Sequence, residues 1–119
     1  MELEIKGKSY PLKVTFGALN KLNELTKKAG NQNDGIGLVQ KYVELKEAGD
    51  PAALRDLILC LNFSLTPQLQ KSVLEEYLAE LEDPEALSKE VLDFLMTTGL
   101  SRMRLQAVLP SVNAQIHKK

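Results

Sequence analysis

The sequence is short of nearly everything that carries chemistry. Its 119 residues include one cysteine, one histidine and no tryptophan, and only 5% are aromatic. A single cysteine excludes an internal disulfide and a thiol-based metal site. Cys60 lies within Leu59-Cys60-Leu61, where no positive or polar neighbour lowers its pKa, so it reads as core rather than nucleophile. His117 stands beside Lys118-Lys119 with no second ligand at metal spacing. No apolar run approaches the roughly 20 residues that span a bilayer; the longest is Leu57-Ile58-Leu59-Cys60-Leu61. Met1-Glu2-Leu3-Glu4 is acidic and alternating, unlike a secretory leader. These absences lead us to expect a soluble, cytoplasmic, non-enzymatic domain with no metal, no cofactor and no membrane partner.

Weaker signals of chemistry dissolve on inspection. The acids Glu75-Glu76 and Glu82-Asp83 with Glu85 sit on solvent faces or helix starts, where they complement the helix dipole, rather than in a cleft that would separate two pKa values. Gly35-Ile36-Gly37 has glycines at a phosphate-loop spacing but lacks the following lysine and hydroxyl. Lys6, Lys8, Lys13, Arg102, Arg104, Lys118 and Lys119 could meet phosphates. Yet the isoelectric point is 5.9, stacking aromatics are scarce, and no helix carries an Arg/Asn/Gln cluster for reading a groove. No nucleic-acid partner is expected.

What is present is a globular composition, 44% hydrophobic and 26% charged, in a length suited to one domain. The charges are segregated. Residues 1–30 carry six lysines against three acids, residues 44–93 carry twelve acids against four bases, and residues 94–119 carry four bases and no acid. Amphipathic helices need exposed charge in any case, but this pattern can also attract a basic partner or another copy of the chain.

Residues 2–16 read as a β-hairpin. Leu3 and Ile5 alternate with charged residues, and Tyr10, Leu12, Val14 and Phe16 alternate with Pro11, Lys13 and Thr15, around a turn at Lys6-Gly7-Lys8-Ser9. The period then changes. Thr15 is placed to cap a helix carrying Leu19, Leu22 and Leu25 and closed by Gly30; Asn31–Gly35 is polar loop; and Leu38, Val39, Tyr42 and Leu45 mark a second helix ended by Gly49. Asp50-Pro51, Thr66-Pro67 and Asp83-Pro84 each put a capping oxygen before a proline, the signature of a helix start. The first opens a helix apolar nearly all round, hence central. A short last helix is expected to stop at Pro110. The expected fold is thus α+β, mostly α: a hairpin (2–16) and five or six helices (17–109) in one domain spanning 1–110, with a flexible tail at 111–119.

Tyr42, Phe63, Leu65, Met96, Leu100 and Met103 fall at helix ends or links, where apolar groups serve either hinge packing or docking.

Leu3-Glu4-Ile5-Lys6-Gly7-Lys8-Ser9-Tyr10-Pro11-Leu12-Lys13-Val14-Thr15-Phe16, the apolar Asp56–Leu61 stretch, the Thr66–Leu81 stretch, and Val91-Leu92-Asp93-Phe94-Leu95 followed by Thr98-Gly99-Leu100 carry a resemblance. Over residues 2–105, in layout and pattern, the chain resembles the tail assembly chaperones of long-tailed bacteriophages and prophages of Gram-positive bacteria. The resemblance implies a protein that coats the tape measure protein, helps recruit tail tube subunits, works in the host cytoplasm and is absent from the mature virion. It also implies self-association, and a longer product made by ribosomal frameshifting, with which Lys118-Lys119 is compatible. From the acidic middle segment we expect a partner-binding groove between helices Pro67–Leu81 and Pro84–Met96. Glu75, Glu76, Glu80, Glu82 and Glu85 would form its rim, with Met96 and Leu100 as apolar contacts. The alternative reading is a structural tail or head–tail connector subunit retained in the particle.

Overall fold

In the computed structural model, residues 1–28 and 37–117 are described. The expected Gly30 cap, the Asn31–Gly35 loop and Lys118-Lys119 lie outside them.

The hairpin pairs β1 (Glu2–Ile5) with β2 (Lys8–Pro11), antiparallel, in the register Leu3↔Tyr10 and Ile5↔Lys8. Its turn is tighter than the four residues expected. Lys6 (φ 52°) and Gly7 (φ 79°) supply the two positive dihedrals of a two-residue hairpin loop, which leaves Lys8 and Ser9 within the strand. Leu3, Ile5 and Tyr10 are buried while Glu2 and Glu4 face out. The strand ends at Pro11, but Leu12 and Val14 stay buried because the extended chain is held first by the hairpin's own Met1 and then by Leu61 near the end of a later helix. The Leu12 amide donates to the Met1 carbonyl at 2.8 Å and the Lys13 amide to the Leu61 carbonyl at 2.9 Å.

Phe16 departs from the expected pattern. It is the first residue of α1 (Phe16–Lys28) and is 71% exposed. The cause is local: Thr15 Oγ1 accepts from the Ala18 amide at 3.0 Å, so the helix begins one residue after the cap and the two-residue period ends there.

Helices α2 (Gly37–Ala48), α3 (Pro51–Asn62), α4 (Lys71–Glu80), α5 (Pro84–Thr97) and α6 (Gly99–His117) complete the fold, which is α+β and mostly α. Helix α3 is the hub. Ala53, Leu54, Leu57, Ile58, Cys60, Leu61 and Asn62 are all buried, and it packs against α1, α2, α4 and α5. Two of the three proline starts hold. Asp50 accepts from the Ala52 amide at 2.9 Å and Asp83 from the Ala86 amide at 3.1 Å, each ahead of a proline in the first turn. Asp50→Ala should lower stability to urea by about 1 kcal/mol; no change would mean that Pro51 alone fixes the start of α3.

The third start is corrected. Thr66-Pro67 opens no helix; its peptide bond is cis, and α4 begins at Lys71 after Gln70, which makes no side-chain cap bond. The segment is instead held by buried Asn62. Its Nδ2 donates to the carbonyls of Pro11 (2.9 Å) and Pro67 (3.1 Å), and its Oδ1 accepts from the Leu69 amide (2.6 Å). Leu69, expected on the helix stripe, is buried in this link. The last helix also differs. Its backbone runs past Pro110 to His117, because a proline removes one intrahelical donor and a helix can carry that loss as a local distortion.

Candidate partner-binding site

The acidic residues singled out in the sequence lie on two different walls. Helix α4 packs on α3, whereas α5 packs on α2, α3 and α6. Glu75 reaches Arg55 at 3.1 Å, and Arg55 in turn holds Asp56 at 3.1 Å. Asp56 also takes Lys41 at 3.1 Å, and Lys41 approaches Glu44 at 3.5 Å. This ladder ties α4 to α3 and α2. Burial alone would lower the Lys41 pKa, but the hydrogen bond and charge of Asp56, with Glu44, outweigh it and keep the ammonium charged above its usual range.

Glu76 points the other way, to Lys6 in the hairpin turn at 3.2 Å. Both side chains are largely exposed, so the pair contributes little to stability, and its charges stay accessible to a partner. Glu80 stands on the same side, with Val73, Tyr77 and Leu81 of the α4 region and Ile5 of the hairpin, around a hollow of about 160 Å³. Val73, Tyr77 and Leu81 recur every four residues and are half-buried, an apolar stripe bordered by carboxylates.

Glu82 is exposed in the α4–α5 link. Glu85, in the first turn of α5, borders a separate cleft of about 640 Å³ floored by Tyr42, Leu45, Leu54 and Leu92. Met96 and Leu100 are half-buried and packed against the core at the α5–α6 corner. Glu76 and Glu80 are therefore brought together over an apolar stripe, Glu75 faces the ladder, Glu85 borders a different cleft, and Met96 and Leu100 sit at the α5–α6 corner. The sequence reading missed exposed Phe16, which the Thr15 cap, followed through, would have placed at the first helical position. Met103, by contrast, was singled out and is 67% exposed.

Cys60 is only 2% exposed. Burial, helped by the Asp56 charge, pushes its thiol up to about 12. An unfolded thiol titrates near 8.5, so as pH rises between the two values the unfolded chain binds fewer protons and this group's contribution to stability is lost. Cys60 should resist a thiol reagent at pH 8 and react promptly in denaturant; fast labelling in native buffer would contradict its burial. Among the described residues no three His, Cys, Asp or Glu side chains are grouped to hold a metal, and no helix is long and apolar enough to cross a membrane.

The surface thus offers apolar stripes bordered by charge, an arrangement suited to gripping another protein. No curated protein and no solved structure matches the chain. A family model, described as phage tail assembly chaperone protein (TAC), matches residues 2–109. That span takes in the hairpin, the α3 hub and both walls that carry the acidic residues, and so the chain belongs to the phage tail assembly chaperone family.

Proposed function

We propose that this chaperone binds the tape measure protein during tail morphogenesis and helps recruit tail tube subunits. Its work is non-enzymatic, done in the bacterial host cytoplasm, in a long-tailed phage or prophage of a Gram-positive bacterium. The family match over residues 2–109 carries this reading. The α4 surface supports it: Val73, Tyr77 and Leu81 form a stripe that an amphipathic helix can cover, as in helix-in-groove recognition. Glu76 and Glu80 beside it would steer a basic partner. Glu82, Glu85, Met96 and Leu100 would extend the contact only if the partner wraps from α4 to α5.

The double reversal Glu76→Lys and Glu80→Lys should weaken capture of the tape measure protein at least tenfold at low salt, with urea stability almost unchanged because both side chains are exposed. Full capture by the double variant would remove the α4 surface from the interface. Mass spectrometry of purified virions checks the assembly role independently. The chain should be missing, and its presence in stoichiometric amount would make it a structural tail or connector subunit.

A further inference from the structure

On the face formed by α1, α3 and the start of α4, a hollow of about 370 Å³ opens beside Phe63. Its floor includes Leu25 and Leu59, half-buried, and Phe63, which remains 37% exposed. The Phe63 ring is held in place. It lies against Gly17, where a Cβ would sit 3.7 Å from the ring, and Lys21 Nζ stands 5.2 Å from its centroid on another side. An aromatic wall fixed in advance lowers the ordering cost of binding. Phe16, beside Gly17 in sequence, adds a second exposed ring at the start of α1.

Of the charged side chains that line this opening, the lysines are the more exposed, and Lys21 also forms a loose, solvent-exposed pair at 3.7 Å with Glu24 of its own helix, just outside the lining. Lys21 and Lys71 line it and both reach solvent. The acid that lines it, Asp56, is only 16% exposed and is taken up by Lys41 and Arg55, each at 3.1 Å. Helix α4 starts there without a side-chain cap and with no acid in its first turn, so the positive end of its dipole adds to the same field.

We propose that this hollow docks a partner protein segment in which a large apolar side chain is followed by carboxylates. The apolar group would fill the space against Leu25, Leu59 and Phe63, and the carboxylates would meet Lys21 and Lys71. The site is distinct from the acidic α4 surface and selects the opposite charge, which would let one chaperone hold two chemically different segments at once. The test is a titration of the 15N-labelled full chain with two synthetic peptides, acetyl-Gly-Leu-Phe-Asp-Glu-Gly-amide and its counterpart with both acids replaced by lysine. The acidic peptide should shift the amide signals of Lys21, Leu25, Phe63 and Lys71 to saturation. The lysine peptide should bind at least tenfold more weakly, as should the acidic peptide to the Lys21→Glu, Lys71→Glu variant, whose remaining spectrum reports that it is folded. No shift at these amides, or equal shifts with both peptides, would overturn the proposal. So would movement of the same signals on diluting the protein alone, because a second copy of the chain would then be the occupant.

Discussion

Gly37→Ala should destabilise the protein by about 3 kcal/mol, although alanine is the better helix former. Gly37 opens α2 where it crosses α1. A Cβ there would fall on the carbonyl group of Leu22 and lie 2.6 Å from the Asn23 nitrogen. These are backbone atoms of a helix and cannot swing aside, so the two helices would have to separate. That separation would also stretch the 3.0 Å bond from the Gly37 amide to Asn23 Oδ1. Alanine's propensity advantage is about 1 kcal/mol, while overpacking in a tight interior costs typically 1–3 kcal/mol and more when only backbone can yield. The clash wins. Gly99→Ala is the control, since a Cβ at the start of α6 meets nothing within 4 Å; it should be neutral or slightly stabilising. Urea unfolding of both variants decides the matter, and equal behaviour would mean that α1 and α2 do not cross as closely as described.

Asn62→Ala should be comparably severe, about 3 kcal/mol. The side chain is 1% exposed and satisfies three backbone groups, the carbonyls of Pro11 and Pro67 and the amide of Leu69. Removing it leaves the buried Leu69 amide and the two part-buried carbonyls without this partner and opens a cavity, each a recognised source of large losses. Asn62→Asp separates the hydrogen bonds from the packing. A carboxylate still accepts from Leu69 but faces two carbonyl oxygens with nothing to donate, so at pH 7 it should be at least as damaging as alanine. Burial would raise its folded-state pKa above the unfolded value near 3.9. The folded state then binds more protons between those values, and the aspartate variant should recover part of its stability as pH falls from 7 toward 4. A loss independent of pH would show that Asn62 acts by shape alone.

These two residues mark where sequence reading stops. The hairpin, the central α3 and the Asp50-Pro51 and Asp83-Pro84 starts were legible because each rests on neighbours: alternation, an all-round apolar run, a capping oxygen before a proline. Thr66-Pro67 carries the same local signature yet opens no helix. What organises it is Asn62, whose partner Pro11 lies 51 positions away, and an asparagine at the end of an apolar run announces nothing of the kind. Gly37 looked like part of a glycine loop because the helix it must admit is invisible in one dimension. The acidic character of α4 was legible as composition. Its division between an inward ladder at Glu75 and an outward pair at Glu76 depends on Arg55 and on Lys6, 70 positions from its partner. Helix α6 outruns the sequence expectation because Pro110 marks a stop only by local propensity, and the helix continues through it.

The proposed partnership has one direct measurement. The chain and the tape measure protein encoded in the same genome should be co-expressed, and the soluble fraction captured through a tag on the chain. The account predicts that the tape measure protein is insoluble alone, becomes soluble with the chain, and elutes with it. A tape measure protein that stays insoluble and is absent from the eluate would contradict it.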